Sequence, residues 1–151
     1  MDEARHLGRS LAVEDGDVVF EQVAGVARLR EVAGMPNLMQ ALELRVLTPL
    51  GSDRFNTLYG LDYEQIFGSE EGLRMVKELI KLNLVRTLAT DNRVADVRDI
   101  FFQDDEEYLA RHPEVSELEL RADRVRRRWE VEALLDTAEA GEVALRLRIG
   151  G

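Results

Sequence analysis

The stretch NLMQALELRVLTPLGSDRFNTLYG, Asn37 to Gly60, decides how this chain is read. Its first half has a helical period. Leu38, Leu42 and Val46 fall at i, i+4 and i+8, with Met39 and Leu47 alongside. Pro36 precedes the run, Asn37 is placed to cap it, and Gln40 three residues on approximates a capping box. Pro49 ends the helix, because proline has no N–H and restricts the residue before it. The expected helix is therefore Asn37–Leu47. The second half, Thr48 to Gly60, is a connection of a length that is uncommon without a role. Thr48 can cap or turn the chain, and Gly51 permits a tight turn. Phe55 and Tyr59 are expected to anchor the loop to the core.

Outward from this stretch the pattern alternates between elements. A second helix is expected from a Ser69 cap to about Leu88, with Glu70 and Glu71 in its first turn. Leu73, Val76, Ile80 and Leu84 form its stripe. Met75, Leu79 and Leu82 widen the stripe enough to suggest cover by a sheet and by other helices. Arg93 to Phe102 reads as a strand. QDDEEYLARHP then reads as an acidic loop with one helical turn, closed by Pro113. ELELRA alternates as a strand with Leu118 and Leu120 on one face. Val125, Trp129, Val131, Ala133 and Leu135 follow in the opposite phase, which implies a bulge or turn near Ala122 to Arg124. EVALRLRI alternates with Val143, Leu145, Leu147 and Ile149 inward. The last two runs form a hairpin if Leu135 pairs with Val143. Glu132 then faces Arg146 and Glu130 faces Arg148 on the solvent side, each pair worth about 0.2–1 kcal/mol. Upstream, Asp17 to Val23 (DVVFEQV) is a strand candidate.

Helices and strands are segregated, so the fold class is α+β: two helices packed on a small mixed or antiparallel sheet with a C-terminal β-hairpin. Residues 1–16, polar and glycine-containing, are expected to be a mobile arm, and residues 17–151 a single domain. At 151 residues the chain needs no disulfide or metal staple, since a domain of this size buries about 68–70% of its unfolded surface. The net charge of -10 argues against nucleic acid and against an anionic membrane surface. With no cysteine, disulfides and thiolate metal sites are excluded. MDEARHLGRSLAVEDG lacks the apolar segment of a signal peptide, so cytoplasmic synthesis is expected.

The candidate catalytic features are slight. DDEE, Asp104 to Glu107, contains enough carboxylates for glycoside hydrolysis, but a chain with 30 acids always contains some such pair. The simpler reading is a solvated acidic loop. His6 and His112 are the only histidines and read as surface residues, too few for a zinc site. G-x-S-x-G, P-loop and G-x-G-x-x-G motifs do not occur. No cofactor is implied. The basic cluster Arg121, Arg124, Arg126, Arg127 and Arg128, beside Trp129, reads as the exposed face of a strand, suited to an acidic protein partner.

The residues from Asn37 to Asp62 carry a resemblance. An apolar helix with a Gln, then L-T-P-x-G, a polar turn and an aromatic-Gly resembles the small baseplate wedge proteins of contractile phage tails, type VI secretion baseplates and extracellular contractile injection systems. Here the pattern is Gln40, Leu47, Thr48, Pro49, Gly51, Tyr59 and Gly60. The likeness covers about Gly34 to Phe102. The family is labelled phage lysozyme-like, but its members are sheath-initiating structural parts. It implies no catalysis, multiple copies in a sixfold particle, and contacts with larger wedge proteins, sheath protein and neighbouring tube or hub proteins. The family's Glu-Pro-Arg turn after the second helix is a wedge contact. This chain has Asp91, Asn92 and Arg93 there, so only Arg93 carries over directly, and the proline is lost. Sheath docking by strand addition makes the final strand, Glu142 to Ile149, and the Arg-rich strand the candidate sheath-contact surfaces, with Arg126, Arg128, Arg146 and Arg148, and leaves open which edge is used. The alternative is a peptidoglycan hydrolase acting through paired carboxylates.

Overall fold

The structure, a computed structural model, describes residues 6–68, 70–126 and 128–150. The chain divides into two compact units, residues 1–44 and 45–151. The fold is α+β, with small antiparallel sheets and a C-terminal hairpin. No helix among the described residues is long and apolar enough to cross a membrane.

The first unit is built from short antiparallel strand pairs. They are β1 (Arg9–Leu11) with β6 (Glu31–Ala33), β2 (Val13–Glu14) with β3 (Asp17–Val18), and β4 (Phe20–Val23) with β5 (Val26–Leu29). Three backbone hydrogen bonds close a ring where the pairs meet. Ala12 N–H donates to Arg30 O (2.7 Å), Arg30 N–H to Val19 O (2.8 Å) and Val19 N–H to Ala12 O (3.0 Å). Val19 thus interrupts the strand expected over Asp17–Val23. Residues 9–14, within the segment expected as an arm, hold β1 and β2.

Helix α1 runs Met35–Leu47, starting before the expected Asn37. Asn37 lies inside the helix, not at its cap. Its Nδ2 donates to Leu7 O at 2.8 Å. Gln40 makes no capping box either. Its Oε1 accepts from Val13 N–H (2.9 Å) and its Nε2 donates to Leu11 O (2.8 Å), pinning the strands of the first unit. The helical stripe itself holds, since Leu38, Leu42 and Val46 are fully buried.

In the second unit, α2 (Tyr63–Phe67) is capped by Asp62, whose Oδ1 accepts from Gln65 N–H at 2.9 Å. Helix α3 spans Leu73–Leu88 and begins after Gly72, so Glu70 and Glu71 precede the first turn; the expected cap, Ser69, lies outside the described residues. Ile80, Leu84 and Leu88 are buried, while Leu73, Met75, Leu82 and Val85 are exposed. The wide apolar arc is covered on one side only. The main sheet has the order β7 (Val94–Phe102), β8 (Trp129–Thr137), β9 (Gly141–Ile149), all antiparallel. One face carries Trp129, Val131, Ala133 and Leu135 paired with Ile149, Leu147, Leu145 and Val143. Most of these side chains are withdrawn from water, each worth about 1.5–3 kcal/mol for a large aliphatic. Phe102 meets Trp129 edge-on, with centroids 5.8 Å apart.

The hairpin register is as expected: Glu130 faces Arg148, Glu132 faces Arg146 and Leu135 faces Val143. The solvent side is not as expected. Helix α4 (Glu106–Arg111) covers its middle, and Glu132 is only 3% exposed. Glu132 contacts His112 Nε2 (2.6 Å) and Arg111 (3.1 Å) instead of Arg146. His112 is therefore a half-buried partner of a buried carboxylate, not a surface residue.

The largest departure is Glu117–Arg126, which is helix α5. The expected ELELRA strand and the bulge near Ala122 to Arg124 do not exist. Ser116 and Glu119 form a capping box: Ser116 N–H donates to Glu119 Oε2 (3.0 Å) and Glu119 N–H to Ser116 Oγ (3.3 Å). Glu117 and Arg121 add an i,i+4 pair at 2.6 Å. The basic cluster thus lies on a helix and the link to β8, not on a strand; Arg127 and the Arg124 side chain lie outside the described residues.

Candidate functional site

The Thr48–Gly60 loop is a closed structure rather than a slack connection. Its ends are tied by Leu61 N–H to Thr48 O (2.9 Å) and Leu50 N–H to Leu61 O (2.8 Å), a parallel bridge between Pro49 and Leu61. Such a loop, with adjacent ends, has the form of an Ω-loop. Gly60 makes this approach possible. Its φ is +120°, and a Cβ there would sit 2.9 Å from Leu50 N and from Pro49 C, and closer still to Thr48 O. Tyr63 Oη donates to Val46 O (2.9 Å), fixing the chain beyond the tie to the end of α1.

Within the loop, consecutive turns follow from residue type. Ser52 N–H donates to Pro49 O (3.1 Å), with Gly51 at φ +80° in the third position. That position of a type II turn requires positive φ. Asp53 Oδ1 accepts from Phe55 N–H (2.8 Å) and Asn56 N–H (3.2 Å), an Asx turn. Tyr59 N–H donates to Asn56 O (3.0 Å). These turns hold the apolar tip outward: Phe55 is 101% exposed and Leu58 78%. Phe55 therefore does not anchor the loop, contrary to expectation. Tyr59 does, half-buried beneath the Arg45 guanidinium at 4.5 Å from its ring.

The turn after α3 joins this loop. Thr87 Oγ1 donates to Gly60 O (2.7 Å), and Arg45 Nη1 to Thr90 Oγ1 (2.5 Å). Arg93 grips Asp91 with two bonds, Nε to Oδ1 (2.8 Å) and Nη2 to Oδ2 (2.7 Å), while Arg93 N–H adds a third at 3.1 Å. The Arg93 hydrogen bonds hold the Asp91 carboxyl below its usual range, against the opposing effect of burial. Burial raises the Tyr59 phenol, with Arg45 opposing. The Asp91–Arg93 pair thus closes a turn that lacks proline, and Asn92 is exposed at its apex. Of the residues singled out from sequence, Thr48, Pro49, Gly51, Tyr59, Gly60, Asp91, Asn92 and Arg93 come together in this unit through these contacts. Arg45, Thr87 and Thr90, which connect loop to turn, were not singled out. For Arg45 and Thr87, a polar residue in a helical stretch was the available signal.

The four candidate sheath-contact arginines also converge. Arg126, Arg128, Arg146 and Arg148 line one cleft of about 410 Å³ between α5 and the β8–β9 face. Glu130 lies in it and accepts from Arg148 Nη2 (2.6 Å) and Tyr108 Oη (3.2 Å). Burial pushes the Glu130 carboxyl up, but Arg148 and its other partners outweigh this and hold it low. Among the described residues, the side chains of Arg126 and Arg128 have no ion-pair partner.

The acidic DDEE segment is tied to the fold. Lys77 Nζ contacts Asp104 (2.5 Å) and Asp105 (3.4 Å), and Asp105 Oδ2 accepts from Phe102 N–H (2.7 Å). These bonds give its first two carboxylates a structural role at the start of α4. No group of three or more His, Asp or Glu suited to a metal ion occurs among the described residues. No protein-family model matches the chain, and no curated protein matches it in sequence.

Proposed function

We propose that this chain is a structural part of the baseplate of a contractile injection system or phage tail. It joins larger wedge proteins to the first ring of sheath and acts by contact rather than turnover. The observation that carries this reading is the union of the Thr48–Gly60 loop with the Asp91–Arg93 turn. The loop bears the family-like pattern, the turn keeps only its arginine, and the loop tied to it holds Phe55 and Leu58 out in water. Large apolar side chains held outward on a tied loop suit a partner surface. In this reading Arg93 shapes the turn through Asp91, and the apolar tip makes the wedge contact.

Sheath docking is assigned to β9, an edge of the main sheet. An edge offers unpaired N–H and C=O groups to an added strand. The arginine-lined cleft beside β9 suits acidic side chains on the incoming segment. Multiple copies would occupy a sixfold particle.

The test is affinity purification of the full chain from its native source, with mass spectrometry of what accompanies it. The reading predicts sheath and large wedge proteins with the wild type, and loss of the wedge proteins with Phe55→Ser/Leu58→Ser. Cell-wall hydrolysis by the purified chain, without these partners, would overturn it.

A further inference from the structure

The two edges of the main sheet differ. β7 carries two register irregularities and exposes Asp96, Arg98 and Asp99. Asp99 Oδ1 also takes up the Ile100 N–H at 2.8 Å. Bulges and charges of this kind protect an edge from pairing. β9 has charges but no register irregularity. Its nine residues pair with β8 without interruption, and it has no other strand partner among the described residues. Its inner side chains Leu145, Leu147 and Ile149 are buried, and its outer ones are Glu142, Ala144, Arg146 and Arg148.

This outer pattern complements itself. An antiparallel two-fold pairing centred on Leu145 opposes Gly141 with Ile149, Glu142 with Arg148, Val143 with Leu147, and Ala144 with Arg146. Side chains directly opposite share a face, so apolar residues meet apolar ones and the sheet face continues. Each dimer gains two Glu142–Arg148 pairs. Sliding the centre to Arg146 sets that arginine against itself. Sliding it to Ala144 leaves Arg148 and Ile149 beyond the partner strand. Only the Leu145 register pairs the whole strand and opposes unlike charges.

We propose that the free protein forms a two-fold dimer through β9, joining two three-stranded sheets into one, with a second copy as the occupant of this edge. The pairing is independent of the baseplate reading. If a sheath strand also uses β9, it must displace the second copy.

Sedimentation of the full chain over a concentration series tests this, with two charge variants. Glu142→Arg sets arginine against arginine, and Arg148→Glu sets glutamate against glutamate. Each alone should weaken the dimer by about tenfold at low salt, from two lost pairs and two repulsions. An equimolar mixture should restore it, because both cross-pairs of the mixed dimer are again opposite in charge. Circular dichroism checks that each variant folds. If Arg148→Glu does not fold, Glu142→Arg alone remains decisive through the reversal of salt dependence, because added salt should then strengthen its association. A wild type that stays monomeric throughout would overturn the proposal. So would a dimer indifferent to both charges, which would place the interface elsewhere.

Discussion

Replacing Gly60 with alanine perturbs the site where its loop is tied. The added Cβ meets backbone, not flexible side chain: Thr48 O, Pro49 C and Leu50 N. Neither side of the tie can yield without moving the chain. At φ +120° the substitution adds strain of about 1–3 kcal/mol. Separating the strands also weakens the Leu61–Thr48 and Leu50–Leu61 hydrogen bonds, about 0.5–1.5 kcal/mol each. The sum is about 2–6 kcal/mol, or a fall in Tm of about 10 °C for a chain of this size. Gly51→Ala is the control, since Gly51 has φ +80° but nothing within 4 Å of a Cβ. It should cost only about 1 kcal/mol, from backbone strain alone. Denaturant unfolding followed by the fluorescence of Trp129 reads the second unit directly, because the chain has one tryptophan. Equal costs for the two variants, or a Gly60→Ala cost below that of Gly51→Ala, would refute the close-approach argument.

Thr87→Val keeps the side-chain shape but leaves the buried Gly60 carbonyl without its donor; the denaturant midpoint should fall by about 1–2 kcal/mol. Asp91 has a depressed carboxyl, so its contribution is present above the unfolded value near 4 and is lost as pH falls through the lower folded value. Asp91→Asn should therefore cost about 1–2 kcal/mol at pH 7, from lost charged hydrogen bonds to a partly exposed arginine. Its difference from wild type should shrink below pH 4, as urea titrations at both pH values would reveal. Glu132→Ala removes a buried carboxylate from Arg111 and His112 and should destabilise by about 2 kcal/mol, less than a wholly buried pair because Arg111 is half in water. Phe55→Ser with Leu58→Ser should change thermal stability by no more than about 0.5 kcal/mol, since both side chains already lie in water.

The parts of the fold legible in sequence were those whose pattern has a single period and a near partner. Clean alternation from Trp129 to Ile149 set the hairpin register pair by pair, and the Leu38–Leu42–Val46 stripe set α1. Helix α5 departs from the expected strand because Leu118, Leu120 and Ala122 of ELELRA alternate as a strand would. The Ser116–Glu119 capping box was the better signal, and local hydrogen bonding outweighs so short an alternation. The start of α1 shifted because Asn37 spends its side chain on Leu7, thirty residues earlier, a partner no local rule names. Glu132 sits on the polar side of an alternating strand, yet α4 folds over it. Alternation reports the face, not what lies above it. The loop motif was visible, but its attachment to the Asp91–Arg93 turn runs through Arg45, Thr87 and Thr90, which only tertiary structure brings together. Phe55 shows the opposite error: an apolar residue in a loop was assumed to point inward, and the Asx turn at Asp53 directs it out.

The proposed role requires the tied loop to present its tip to another protein. A photo-crosslinking amino acid in place of Phe55, in cells of the native source, probes this contact. Leu118, 79% exposed on α5, is the comparison position. Irradiation should join position 55 to a large wedge protein, and position 118 should not give this adduct. No adduct at 55, or the same adduct at both positions, would contradict it.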